Sequence, residues 1–296
     1  MPASRARVRW AAARPCPRHL AGNQMLEAAS NGYRVGAVSY LNARPLIEGL
    51  QTRPGVSLVT DVPSGLLRRL VEGEVDLALC PVIDFQRSTA PLRVIPAGGI
   101  GSDGPTLTVR LFSRRPISEL EEIAVDSDSH TSIALLQVVL RHLLGRVPRL
   151  LSFDARTDIP SDHEAALLIG DKVVTADPGK EAYPFQLDLG GAWREMTGLP
   201  FVFAVWMARA GASLGSLPEV LEEQLTANLA RVPEIASKCG PVSGWPVQLA
   251  ERYLGEILQY RIGERELQAI QLFWDHCRRL GLTPSERPLA LYPLQR

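Results

Sequence analysis

From residue 33 onward, short apolar runs rich in β-branched residues alternate with stretches whose apolar positions recur every three or four residues. The first three pairs are Arg34 to Tyr40 then Pro45 to Leu50, Val56 to Val62 then Ser64 to Glu72, and Asp76 to Pro81 then Val82 to Arg87. Pro63 and Ser64 supply one helix entry and Gly73 its exit. Strand followed by helix in that rhythm predicts an α/β fold with substantially parallel strands. The run Asp76-Leu77-Ala78-Leu79-Cys80 is apolar almost throughout, as a strand covered on both faces should be, which favours a core role for Cys80 over a nucleophilic one.

After Gly98-Gly99-Ile100-Gly101-Ser102-Asp103-Gly104-Pro105 an extended stretch, Leu107 to Ser113, opens a second α/β set. Its strands are expected at Ile123 to Asp126, Leu150 to Phe153, Ala166 to Ile169 and Phe185 to Leu189, with a helix over Thr131 to Leu144. Leu199 to Arg209 is a long strand candidate, and beyond Ser216 the pattern is helical almost to Leu280. There Leu267, Ile270, Trp274 and Cys277 share one helical face, a core stripe. Two sets joined by extended crossings near 107–113 and 200–209 describe two lobes. The site of such a fold lies in the cleft, where strand ends and helix N-termini converge.

Composition narrows the function classes. Of 296 residues 46% are hydrophobic, and acids and bases balance at 32 each, yet Arg5, Arg7, Arg9, Arg14 and Arg18 precede any acid. The remainder is mildly acidic and lacks the basic face of a nucleic-acid binder. The longest apolar stretch, Leu199 to Ala208, is about half of what a membrane span needs. Cys16, Cys80, Cys239 and Cys277 show no CxxC spacing and the five histidines no HxxxH pair, so neither a metal site nor a disulfide framework is expected, and a reducing compartment fits best. Residues 1–32 read as an extension outside the fold: Arg-rich and transit-peptide-like, without the apolar core of a secretory signal, and with Met25 as a possible initiator.

Three segments end strands and open helices: Ser39-Tyr40-Leu41-Asn42, Gly101 to Thr108, and Asp126-Ser127-Asp128-Ser129-His130-Thr131-Ser132. Hydroxyls around the start of an amphipathic helix make the third a natural carboxylate or phosphate site, with plain N-capping by Ser129 or Thr131 as the competing reading. Asn42 before Pro45 equally suits a turn, and Asp103 in Ser102-Asp103-Gly104-Pro105 could satisfy that turn's amides. Asp171, after Ile169-Gly170, either binds ligand or caps a helix. No Ser-His-Asp set, P-loop or dinucleotide fingerprint is present. Together the segments indicate a small anionic ligand.

Val38-Ser39-Tyr40-Leu41-Asn42-Ala43-Arg44-Pro45-Leu46 resembles the V-x-Y-L-N-x-x-P-L opening of chorismate dehydratases, the first enzymes of the futalosine route to menaquinone. The resemblance continues in Ser102 to Pro105, Ser127 to Leu136, Ala166 to Asp171, Asp188-Leu189-Gly190 with Trp193, and Thr197 to Trp206, covering roughly Arg34 to Leu282 in order. It implies a two-lobed, type II periplasmic-binding-protein-like fold working in the cytoplasm, with lobe one as 33–112 plus 201–296 and lobe two as 113–200. The implied reaction is loss of water from chorismate to give 3-[(1-carboxyvinyl)oxy]benzoate, without cofactor or metal. By the family's pattern Asn42 and Thr108 take the catalytic positions, Thr108 standing where serine is more usual. Substrate contacts fall to Ser39, Ser102, Asp103, Gly104, Ser129, His130, Thr131, Ser132 and Asp171. The alternatives are the related naphthoate synthase of the same pathway and a non-catalytic small-anion-binding protein.

Overall fold

The computed structural model describes residues 32–126, 129–153, 162–175, 179–284 and 287–293. The expectation for an N-terminal extension therefore lies outside the described residues, apart from Gly32, as do Ser127 and Asp128 of the third loop.

The strands are β1 (Tyr33–Ala37), β2 (Val56–Thr60), β3 (Leu77–Pro81), β4 (Leu92–Ser102), β5 (Val109–Ser113), β6 (Glu122–Asp126), β7 (Arg149–Phe153), β8 (Ala165–Ile169), β9 (Phe185–Asp188) and β10 (Phe201–Arg209). The helices are α1 (Arg44–Ile47), α2 (Pro63–Val71), α3 (Asp84–Arg87), α4 (His130–Leu144), α5 (Lys172–Thr175), α6 (Gly179–Ala182), α7 (Leu189–Thr197), α8 (Leu217–Leu229), α9 (Val232–Cys239), α10 (Val247–Arg252) and α11 (Glu264–Arg279).

These strands form two five-stranded sheets ordered β2-β1-β3-β10-β4 and β7-β6-β8-β5-β9. The sheets repeat one plan. Strand β1 pairs in parallel with β2 and β3, as β6 does with β7 and β8. The strand that enters from the other lobe then runs antiparallel to both its neighbours, β10 between β3 and β4 and β5 between β8 and β9. Parallel pairing thus prevails except at the crossing strands. Strand β5 belongs to the second sheet, so the first crossing lies between Ser102 and Val109, and residues 109–112 sit with lobe two rather than lobe one.

Apolar pattern and burial agree closely. All five residues of β3 are buried, Cys80 fully, because helices cover both faces of its sheet. On α11, Ile270, Phe273, Trp274 and Cys277 face inward, with Trp274 stacked on Phe85 at 4.9 Å between ring centroids and donating its indole N–H to Val82 O. A smaller cluster, including Phe112, Phe153, Leu168 and Tyr183, lies in lobe two. The structure also adds a strand beyond those expected from the sequence: β4 runs through Gly98, Gly99 and Gly101. A Cβ on Gly99 would lie 2.6 Å from Ala204 O and one on Gly101 2.7 Å from Phe201 O, so only glycine lets β4 press this closely against β10. Among the described residues no helix is long and apolar enough to cross a membrane, and no group of three or more His, Cys, Asp or Glu residues could hold a metal ion.

Candidate functional site

A cleft cavity opens between the two sheets. Most of its wall is apolar, with Val38, Leu79, Ile100, Val109, Ile169 and Phe203 among the lining. Its polar groups come from four places in the chain.

The first is the exit of β1. Tyr40 is extended, Leu41–Ala43 form a 3₁₀ turn, and Pro45 then starts α1. This fixes Asn42 at the cavity wall, where its Oδ1 is buried and has no hydrogen-bond partner within the protein. An amide oxygen held in that state is a ready acceptor for a bound molecule.

The second is the crossing from β4 to β5. Asp188, the N-cap of α7, accepts from the backbone N–H groups of Thr106, Leu107, Gly190 and Gly191 at 2.9–3.1 Å. Under that clamp Leu107 adopts φ +67°, the left-handed region disfavoured for a branched side chain. Thr108 follows directly, and its Oγ1 reaches the cavity and the hydroxyl of Tyr253 at 2.7 Å.

The start of α4 is the third. Ser129, His130, Thr131 and Ser132 all line the cavity. Ser129 occupies the N-cap position without a capping side-chain bond, so simple capping does not account for its hydroxyl. Thr131 Oγ1 accepts the Ile83 N–H at 3.4 Å, and His130 Nδ1 lies 2.8 Å from Asp84 Oδ1; both contacts join lobe two to lobe one. Asp84 is 1% exposed.

The fourth is Tyr253, buried, at the start of a π-helical turn spanning Tyr253–Ile257. Sequence reasoning missed it. A π-turn has no sequence period of its own, and within a helical pattern a tyrosine reads as core packing.

Other expected contacts lie elsewhere. Asp171 is not in the cavity wall. It accepts the Leu41 N–H at 3.4 Å and the Trp245 indole N–H at 3.0 Å, tying the end of β8 to two segments of lobe one. Asp103 pairs with Arg194 at 2.8 Å and Arg265 at 3.2 Å, and Ser102 donates to Gly104 O at 3.0 Å, so all three residues brace the crossing rather than face the cavity. Ser39 offers its carbonyl to Arg44 at 3.2 Å and is also outside the lining.

Burial pushes the Asp171 carboxyl up to about 6, against the lowering effect of its two N–H donors and Arg44. A folded-state value above the ordinary 3.8 means the folded chain holds the proton more tightly. The resulting stability is complete below the unfolded value and is lost as pH rises through about 6, a change on the order of 3 kcal/mol. Asp171→Asn cannot titrate, so its unfolding free energy relative to wild type should rise between pH 4 and pH 7. Denaturant titrations across that window measure it, and a constant difference would remove Asp171 as the titrating group.

Comparison with known proteins adds to this geometry. A family model described as menaquinone biosynthesis matches residues 33–279. A chorismate dehydratase of Thermus thermophilus is 28% identical over 256 residues, covering 81% of this chain and 93% of that protein. Among solved structures, a protein from Archaeoglobus fulgidus superposes with TM-score 0.64 at 17% identity, covering 86% of this chain and 99% of its own. The periplasmic aliphatic sulphonate binding protein of Escherichia coli gives 0.62 at 17% identity, covering 90% and 95%. At that identity the structural likeness speaks for the fold alone, which is that of the two-lobed periplasmic binding proteins.

Proposed function

The chain belongs to the menaquinone-biosynthesis family whose model spans residues 33–279, and from that premise we propose that it is a chorismate dehydratase, a hydro-lyase forming 3-[(1-carboxyvinyl)oxy]benzoate. The observation that carries this reading is the pairing of two polar side chains, Asn42 and Thr108, with a helix start inside an otherwise apolar cleft.

The chemistry suits so sparse a site. Chorismate already carries a cyclohexadiene ring, so loss of the C3 proton and the C4 hydroxyl produces a benzene ring, and the step is strongly downhill. What the protein has to supply is placement and charge stabilisation. The apolar wall takes the ring. Asn42 Oδ1 accepts from the substrate, and the Thr108 hydroxyl donates to the C4 oxygen as its bond to carbon breaks. The C3 proton passes to the enolpyruvyl carboxylate of the substrate itself, folded against the ring, so no side-chain base is required. The departing hydroxyl and the proton together account for the water released.

One substrate carboxylate sits on the start of α4, taken by backbone N–H groups and the hydroxyls of Ser129, Thr131 and Ser132. Among the described residues the lining holds no lysine or arginine, and His130 is its only basic side chain, so the helix end bears much of the anion binding. Ser132→Asp, which puts a negative charge there, is expected to raise KM for chorismate by roughly tenfold or more. An unchanged KM would move the carboxylate elsewhere.

We place the enzyme in the cytoplasm, in the futalosine branch of menaquinone synthesis. The three described cysteines, Cys80, Cys239 and Cys277, are buried free thiols, which suits a reducing compartment. Purified protein incubated with chorismate and followed by mass spectrometry tests the assignment. Appearance of the aromatic ether supports it; tight binding of chorismate or another small anion with no turnover would favour a binding protein.

A further inference from the structure

Tyr253 is a costly residue to bury unless its hydroxyl is used. It is 1% exposed, its ring stacks on Trp245 at 4.7 Å between centroids, and its hydroxyl reaches into the cavity 2.7 Å from Thr108 Oγ1. Asn42 lines the same cavity, with its Oδ1 buried and without a hydrogen-bond partner in the protein. A phenol is a stronger donor than an aliphatic alcohol and an alcohol oxygen a better acceptor, so the Tyr253 O–H points at Thr108. The order is then Tyr253 hydroxyl to Thr108 hydroxyl, with the Thr108 proton left to point into the cavity.

We infer that Tyr253 is the positioning residue of the site: its hydroxyl, 2.7 Å from Thr108 Oγ1, donates to that oxygen and so aims the Thr108 O–H at the leaving oxygen. A hydroxyl rotor that already receives a hydrogen bond has fewer directions in which to donate, and its own donation is strengthened. Tyr253 does not itself give up its proton. Burial and the nearby carboxylates of Asp171 and Asp188 hold its ionisation well above the usual phenol range. The support extends outward, since Trp245, which carries the ring face, is fixed by its indole bond to Asp171.

The inference rests on the dehydratase reading, and four proteins test it: wild type, Tyr253→Phe, Thr108→Val and the double variant, each assayed with chorismate and normalised to folded fraction. Tyr253→Phe keeps the ring and its stack while removing the hydroxyl. Its kcat is expected to fall ~30-fold while KM stays within about twofold, since the lost bond orients a group that acts in the transition state. Adding Thr108→Val to Tyr253→Phe should then cost much less than adding it to wild type. This second comparison reads the coupling even where Tyr253→Phe lowers stability. Near-wild-type kcat for Tyr253→Phe, or equal costs of Thr108→Val in both backgrounds, overturns the positioning role and leaves the dehydratase reading in place. Absence of turnover by wild type overturns both.

Discussion

Asn42→Ala and Thr108→Val are each expected to lower kcat for chorismate about 100-fold, while the protein stays folded. Loss of a polar contact made as charge develops in the transition state costs on the order of 3 kcal/mol, which corresponds to that factor. The two sites differ in what they do to stability, and the difference makes the result diagnostic. Asn42 Oδ1 is a buried acceptor with no partner in the protein. Removing it relieves a desolvation penalty of ~1–3 kcal/mol, so Asn42→Ala should keep its melting temperature within a few degrees of wild type or raise it. Activity and stability then move independently, as for a group held ready for substrate. Thr108→Ser, which keeps the hydroxyl and sheds the methyl, should retain or raise kcat. The measurements are kcat per folded molecule and thermal melts. If Asn42→Ala and Thr108→Val both turned over at near-wild-type rates, neither side chain would belong to the mechanism.

Asp188→Ala should be the most destabilising single change near the cleft. Its carboxylate, partly buried, holds four backbone N–H groups from two elements, the crossing before β5 and the first turn of α7. Charge-assisted bonds of this kind are among the strongest available, and alanine would leave all four donors to water or to nothing. A loss of about 3 kcal/mol, or a drop of roughly 10 °C in melting temperature for a chain of this size, is expected. Turnover should fall as well, because the left-handed Leu107 just before Thr108 is held by the same carboxylate. Asp188→Asn, which keeps one acceptor oxygen, should fall between. Gly190 supports the same arrangement: a Cβ there would lie 2.4 Å from Thr106 Cγ2 and 2.6 Å from Gly104 O, so the crossing and α7 are in contact at backbone level. A melting temperature for Asp188→Ala within about 2 °C of wild type would show that water replaces the carboxylate at little cost.

Much of the fold was legible because burial follows period. The apolar run of β3, the inward face of α11 and the strand after Gly198 were all marked by hydrophobic position alone. The reading failed where a close contact rather than a period decides the structure. Gly99 and Gly101 argue against a strand by propensity, yet β4 needs them because β10 leaves no room for a Cβ. The reach of lobe two back to Val109 was equally invisible, since strand partners are set by tertiary pairing. At the site, the loops that line the cavity were found and the residues behind them were not. Asp171 ends a strand, as a ligand-binding acid often does, but its two donors lie more than 70 residues away in sequence. Asp188 was noted only as part of a family motif. Tyr253 enters through a π-turn that no pattern of apolar spacing announces.

The shared plan of the two sheets carries a consequence for synthesis and folding. Every strand of the second sheet lies within one continuous stretch, 109–188, so that lobe can form its pairings as soon as it leaves the ribosome. The first sheet cannot. β3 and β4 each border β10, which arrives some hundred residues after β4, and until then the two lie as separated edges facing an empty lane. The half of the cleft that carries Asn42 is therefore closed last, by a strand threaded into the middle of an existing sheet rather than added at its margin. Chain termination between residues 198 and 201 would leave an intact lobe two beside unpaired strand edges, the form of exposed backbone that recruits other chains. The dependence on a distant insertion makes lobe one the later half of assembly.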